Sequence, residues 1–423
     1  MNIYDATQER FKLLFEEFDN IYVSFSGGKD SGVLLNLAID YIRANKLDRK
    51  IGVFHLDYEA QYTFTTNYVN ETLANNLDIC EVYRCCIPFK VTTCTSMYDS
   101  YWRPWEKSKK DIWVSDLPDN CYTETDFDFY KPNMWDYEFQ EKFSKWYHQF
   151  KGAKKTACLV GIRTQESLNR WRAIHSDRNN RKYNSISWTK EMYNDVYNAY
   201  PIYDWVTEDI WVANGRFGWT YNKLYDVYYQ AGLTIDQMRV ASPFISTAQS
   251  SLKLYRIIEP GTWGKLIGRV NGVNFTGLYG GTTAMGWKEI KLPSGHTWKS
   301  YMEFLLSTLP EKSRNNYKKK LETSVEFWKN KGGVLSNEVI EKLNKLNIPI
   351  SVQESTNYRT IKKPVTMDYQ DDIDITEFNE IPTYKRMCIC IMKNDHLCKF
   401  MGFSLTKNEV EIRKQAEVKY KNL

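Results

Sequence analysis

The run Ser24-Phe25-Ser26-Gly27-Gly28-Lys29-Asp30-Ser31 constrains this chain more than any other feature. A short apolar segment, residues 21–25, leads into it. Leu34, Leu37, Ala38, Tyr41 and Ile42 follow at the i, i+3, i+4, i+7, i+8 spacing of a helix with one buried face. The octapeptide therefore turns a strand into a helix. Gly27 and Gly28 can take backbone angles closed to other residues and let main-chain N–H groups point inward. The helix adds its unpaired N-terminal donors and the positive end of its dipole. Ser26 and Ser31 bring hydroxyls, Lys29 a charge, and Asp30 a carboxylate able to hold Mg²⁺ against phosphates. The plainer reading is a strand-to-helix turn in which Asp30 or Ser31 is an N-cap. The whole octapeptide in this setting favours phosphate binding. It is not a Walker A loop, whose G-x-x-x-x-G-K-[ST] spacing does not match.

The elements around it set the fold class. Residues 6–18 are amphipathic, 51–56 and 79–84 read as strands, 62–76 as a helix, and 157–162 as a further strand. Strands alternating with helices over this length predict βαβ units and an α/β Rossmann-like parallel sheet. Residues 88–155, rich in Trp, Tyr, Asp and Pro, read as an irregular insertion crossing the end of the sheet. Helices are expected at 207–212 and at 221–232, the latter ending on Gly232. Eight glycines between 261 and 286 read as turns near a domain transition. Domains are thus expected at 1–240 and 241–423, the second mainly helical, with 357–378 as a polar linker and Thr406-x-x-Glu409 as a capping box.

Two more constellations fall at strand ends. Asp57, in His55-Leu56-Asp57-Tyr58-Glu59, lies where open parallel sheets bind ligands. It can contact ribose or adenine, share Mg²⁺ with Asp30, or simply cap its loop. In Gly161-Ile162-Arg163-Thr164-Gln165-Glu166-Ser167-Leu168-Asn169-Arg170, Arg163 emerges at the same edge and Arg170 lies two helical turns on. Two guanidinium forks suit phosphate or sulfate oxygens, though pairing with Glu166 would also account for them.

These segments, with Pro201-Ile202-Tyr203-Asp204-Trp205-Val206-Thr207-Glu208-Asp209-Ile210-Trp211, carry a resemblance. The SGG-x-DS signature is similar to that of the PP-loop ATP pyrophosphatase superfamily, also called adenine nucleotide alpha hydrolases. The order of the three segments over residues 11–232 resembles the phosphoadenosine phosphosulfate (PAPS) reductase family. Ala241-Ser242-Pro243-Phe244, Ile258-Glu259-Pro260-Gly261-Thr262-Trp263-Gly264 and Tyr384-Lys385-Arg386-Met387-Cys388 look like the extra C-terminal region of its immunoglobulin-binding regulator A subfamily. The resemblance implies binding of ATP or a PAPS-like adenylate with Mg²⁺. It assigns nucleotide contacts to Ser24, Ser26, Gly27, Gly28, Lys29, Asp30, Ser31, Asp57, Gly161 and Arg163, and catalysis to Lys29, Asp30, Arg163 and Arg170. It further implies attack on the α-phosphate with loss of pyrophosphate, and as partners a ParB-like protein or a nucleic acid. One departure matters. No Glu-Cys-Gly-Leu-His segment is present, and Cys85-Cys86 has no Cys-x-x-Cys companion for an iron–sulfur cluster, so sulfate reduction is the weaker expectation.

The remaining signals bound the reading. A formal charge of +5 over 423 residues permits a polyanionic ligand without requiring one. Nine cysteines, an odd number with no repeating spacing, fit reduced thiols in the cytoplasm better than a disulfide framework. Neither a signal peptide nor a membrane span is expected. Cys388, Cys390, His396 and Cys398 suggest zinc, but 384–400 reads as a helix, on which residues two apart diverge. The basic run 312–331 reads as a solvated helix face or a nucleic-acid contact.

Overall fold

The computed structural model describes residues 2–166, 170, 171, 174, 181–240, 242–245, 248–279, 292–353 and 362–403. Two compact units result, one of residues 1–92 with 101–270 and the other of 93–100 with 271–423.

In the first unit, helix α1 (Ile3–Glu17) is capped by Asn2, whose side chain accepts from the Asp5 N–H. Strand β1 (Asn20–Ser24), helix α2 (Lys29–Ala44), strand β2 (Ile51–Leu56), helix α3 (Thr63–Ala74) and strand β3 (Cys80–Cys85) follow in the expected alternation. Helix α4 (Asp136–Phe150) and strand β4 (Thr156–Val160) come next, then β5 (Thr189–Tyr193) and β6 (Val196–Ala199), and the helices α5 (Thr207–Phe217) and α6 (Leu224–Gln230). The sheet order is β3-β2-β1-β4-β6-β5. All neighbours are parallel except the edge pair β5–β6. A mainly parallel sheet with one antiparallel edge strand is a common doubly wound variant.

Strand order reverses beside β1. The chain runs outward from β1 through β2 to β3, then returns to place β4 on the other side, where Val23 pairs with both Val53 and Leu159. Ligands of open α/β sheets bind at such a switch point, beyond the carboxyl ends of the strands. Helix α2 is held there firmly. Its Leu34, Leu37, Ala38 and Ile42 are buried as the spacing predicts, Val33, Leu35 and Ile39 are buried as well, and Tyr41 stacks on Phe11 and Phe15.

Several local expectations need correction. Residues 88–155 are not irregular throughout, because Phe139, Phe143 and Tyr147 give α4 a buried face at four-residue spacing. The glycines at 261, 264 and 268 sit inside a helix, Pro260–Arg269, on its open side, where an added Cβ would meet nothing within 4 Å. Those three glycines mark a helix face, whereas Gly272, with a φ of +79°, sits in a turn as expected; Gly280, Gly281 and Gly286 lie outside the described residues.

The second unit is mainly helical, as expected. Its helices include Trp298–Thr308, Glu311–Glu326 and Asn337–Lys345, accompanied by a three-stranded antiparallel sheet of Gly333–Leu335, Ile350–Val352 and Lys363–Met367. The last strand falls within the expected 357–378 linker. The helix expected at 384–400 spans Tyr384–Met392 only, and Cys398 beyond it has a positive φ of 52°. Cys388 donates to the Trp298 carbonyl and Cys390 to Asp395, and among the described residues no cluster of three metal-ligating side chains occurs. The Thr406–Glu409 capping box lies outside the described residues. Among the described residues no helix is long and apolar enough to cross a membrane.

Candidate nucleotide site

The turn between β1 and α2 is built from both sides. Gly27 has a φ of +74°, and a Cβ there would lie 2.8 Å from a methyl of Val69 and 3.1 Å from one of Thr65, so the turn rests directly on α3. The buried Asn222 amide donates to the Gly27 carbonyl at 3.0 Å and to Thr65 Oγ1 at 2.9 Å. His55 Nδ1 meets the Phe25 carbonyl at 2.8 Å. Ser31 Oγ accepts from the Ser26 N–H and donates to the Gly28 carbonyl, closing the loop on itself.

Gly28, not Asp30 or Ser31, is the N-cap of α2, and it brings no side-chain capping bond. The helix start therefore opens onto a cavity of about 530 Å³, within the size range of small-molecule sites. Ser24, Ser26, Gly28, Lys29, Asp30, Ser31, Gly161, Arg163 and Arg170 all line it. Gly27 supports the loop from behind. Asp57 does not join them. It lines a separate cavity, where its carboxylate accepts from Arg84 Nε at 2.9 Å, from Arg84 Nη2 at 2.7 Å and from the Glu59 N–H at 2.9 Å.

Charge is concentrated at the helix start. Arg163 Nε donates to Asp30 Oδ1 and Lys29 Nζ to Asp30 Oδ2, each at 2.6 Å. Arg163 also reaches Gln165 and the Trp205 carbonyl, and Arg170 pairs with Glu166. Burial pushes Lys29 below the ordinary lysine value, opposed by Asp30, while Arg163 and Arg170 lower it further. Burial lowers Arg170 too; Asp30 pulls it back, and Arg239 and Arg163 push it down. Four cations thus share one cavity with the carboxylates of Asp30, Glu166 and Glu208. A polyanion would relieve their mutual repulsion.

The donor set bears on Mg²⁺. Each Asp30 oxygen accepts from one cation, Oδ1 from Arg163 and Oδ2 from Lys29, so a Mg²⁺ ion at this carboxylate would share its oxygens with both. Those two bonds fix Lys29 and Arg163 in place.

Sequence reasoning missed three contributors. The Tyr225 hydroxyl accepts from the Lys29 N–H at 3.2 Å. The Gln165 carboxamide caps α5 through the Thr207 N–H at 2.9 Å. Arg239, with Met238 and Val240, closes one wall. Gln165 was within reach, since it sits inside the Gly161–Arg170 segment; Tyr225 and Arg239 carry no local pattern.

A family model for the phosphoadenosine phosphosulfate reductase domain matches residues 20–231. The chain belongs to that family. The PAPS reductase domain therefore contains the whole strand–turn–helix and both arginine positions, while a domain of unknown function, DUF3440, matches residues 232–412 and so includes Arg239. The chain is 32% identical over its whole length to 95% of the uncharacterized protein YbdN of Escherichia coli (strain K12). Solved structures with a likeness include PAPS reductase from Candida auris, 14% identical over 52% of this chain and 84% of that one, with a TM-score of 0.30. FMN adenylyltransferase from Candida glabrata gives 17% over 53% and 59%, with a TM-score of 0.32. The U34-tRNA thiolase NcsA from Methanococcus maripaludis gives 10% over 64% and 79%, with a TM-score of 0.31.

Proposed function

We propose that the cavity binds ATP, its β- and γ-phosphates against residues 26–31, and that the chain activates an acceptor by attack at the α-phosphate. In that reaction an acceptor oxygen or sulfur bonds to the α-phosphorus, the bond to the bridging oxygen breaks, and pyrophosphate leaves. The supporting observation is the start of α2, whose N-cap Gly28 brings no side chain, opening on Lys29, Arg163, Arg170 and Arg239. Such fixed donors and cations neutralise charge that grows on the phosphates as the bridging bond breaks. Residues 1–240 are read as the nucleotide-binding domain and 241–423 as the appended region.

The family match favours a PAPS-like adenylate as the second candidate ligand. Reduction of its sulfate is not part of this reading, because none of the nine cysteines lines the cavity. Calorimetry with ATP, PAPS and AMP, coupled to a pyrophosphate assay with candidate acceptors, tests both. Binding of ATP with release of AMP-linked product and pyrophosphate is expected. Tight nucleotide binding without pyrophosphate or AMP under any condition would remove the enzymatic reading and leave a binding module.

A further inference from the structure

Beyond the carboxyl end of β3, three short segments of the first unit lie side by side. Val91 pairs with Trp102 and Thr92 with Tyr101 in antiparallel register. Lys90 bridges Trp135 in parallel, its N–H donating to the Met134 carbonyl at 2.8 Å and its carbonyl accepting from the Asp136 N–H at 3.1 Å. Side chains alternate along such segments, and paired residues share a face. Val91, Trp102 and Met134 therefore point inward, at 3%, 6% and 6% exposure. Lys90, Tyr101, Arg103 and Trp135 take the outer face, each half-buried. Tyr137, in the first turn of α4, extends that face and is 37% exposed.

The outer face combines rings with cations. Trp135 and Tyr137 lie nearly parallel with ring centroids 6.1 Å apart, and Tyr101 meets Trp135 edge-on at 5.9 Å. The Lys90 ammonium sits 4.9 Å from the Tyr101 centroid and 5.7 Å from that of Trp135. The Arg103 guanidinium lies 5.3 Å from the Tyr101 centroid. Glu106 stands 3.6 Å from Arg103, whereas Lys90 has no carboxylate partner among the described residues. Asp136 accepts from the Tyr58 hydroxyl at 3.1 Å.

We propose that this face binds single-stranded nucleic acid, its bases stacking on Tyr137, Trp135 and Tyr101 and its phosphates meeting Lys90 and Arg103.

Both halves of the surface select that partner. Cations held beside ring faces attract an anion, and half-open rings attract planar groups; a single strand supplies phosphates and unpaired bases together. An acidic peptide brings carboxylates without bases, and a duplex keeps its base faces stacked inside. Lys90 is the open cation, while a phosphate at Arg103 competes with Glu106. None of these five residues lines the phosphate cavity, so binding here is independent of the ATP reading.

The test is fluorescence anisotropy of the full chain with a labelled single strand of about 12 nucleotides, as DNA and as RNA. At least one strand should bind, and a duplex of the same length should bind more than about tenfold more weakly. Excess ATP should not displace the strand. Tyr137→Ala should weaken binding roughly tenfold, and Tyr137→Phe, which keeps the ring, should not. Lys90→Ala should flatten the slope of log affinity against log salt by about 0.7. Photocrosslinking of the wild-type chain to a thiouridine or thiothymidine strand, read by peptide mass spectrometry, should mark Tyr101, Trp135 or Tyr137 whatever the variants do. Binding of neither strand would overturn the proposal, as would duplex binding of equal strength or displacement by ATP. Crosslinks confined to other residues would overturn it too, and so would folded Tyr137→Ala and Lys90→Ala chains that bind as wild type does.

Discussion

Arg163 Nε stands 2.6 Å from Asp30 Oδ1, joining the chain beyond β4 to the first turn of α2 across the switch point of the sheet. The Arg163 side chain is 2% exposed and that of Asp30 16%, so the pair is shielded from solvent. Each is also tied elsewhere: Asp30 to Lys29, and Arg163 to Gln165 and the Trp205 carbonyl. The bond therefore fixes where two cations point before any ligand arrives.

Arg163→Ala should then do two kinds of damage. It leaves Asp30 paired only with Lys29, and breaking a buried pair from one side costs about 3 kcal/mol. It also removes a guanidinium from the cavity, so nucleotide affinity should fall by more than about tenfold. Arg163→Lys keeps the charge but not the fork and should fall between the two. Urea unfolding and calorimetry read the two effects separately. An unchanged unfolding midpoint for Arg163→Ala would show that the bridge does not hold the site together.

Gly161 tests the same junction through shape. A Cβ there would lie 3.0 Å from both the Asp30 carbonyl carbon and the Ser31 nitrogen, main-chain atoms that cannot rotate away. Gly161→Ala should push α2 off the end of β4 and cost roughly 1–3 kcal/mol as overpacking. Nucleotide affinity should drop with it, because the proposed phosphate site is the start of that helix. Wild-type affinity and stability together would mean that this close approach is not needed.

These two residues also show what was legible. Arg163 and Gly161 stood out because a strand end, a glycine and an arginine fall in one local run, and local order survives in sequence. The β1–α2 turn and the buried face of α2 were readable for the same reason. Asp57 stood at an equally suggestive strand end, yet Arg84, on the neighbouring strand, claims its carboxylate. A partner 27 residues away leaves no periodic trace. Tyr225 and Arg239 were hidden by the same long-range folding, since both reach the site from elements after the matched strand–turn–helix. Helix α4 was obscured differently: its four-residue spacing was present, but aromatic and acidic residues on the other faces masked it.

Arg239 belongs to the segment matched by DUF3440 while facing the PAPS reductase domain's cavity, and it lowers Arg170 by like-charge repulsion. It is exposed, so Arg239→Ala should change stability by less than about 0.5 kcal/mol. Binding should respond more: ATP affinity should weaken roughly five- to tenfold and AMP affinity less, since the triphosphate carries more charge to the cluster. Calorimetry at low and high salt checks this, and the ATP loss should shrink as salt screens it. Equal losses for ATP and AMP would place Arg239 away from the phosphate tail.

Lys29 gives the site a pH signature. Burial holds it below its ordinary value of 10.5, and a bound polyanion would raise it again. Below the free-state value the cation is fully present and affinity is greatest. As pH rises from that value toward the bound-state one, free protein loses a proton that the complex retains, and affinity should fall by at most about tenfold per pH unit. Stability moves the other way. In the window between the folded value and that of the unfolded chain, the unfolded state binds more protons, so the Lys29 contribution to stability rises with pH. Calorimetry and urea unfolding from neutral pH toward 10.5 should therefore show opposite slopes, and Lys29→Met should flatten both. An affinity that stays constant over this range in the wild-type chain would show that the Lys29 ammonium does not meet the ligand's phosphates.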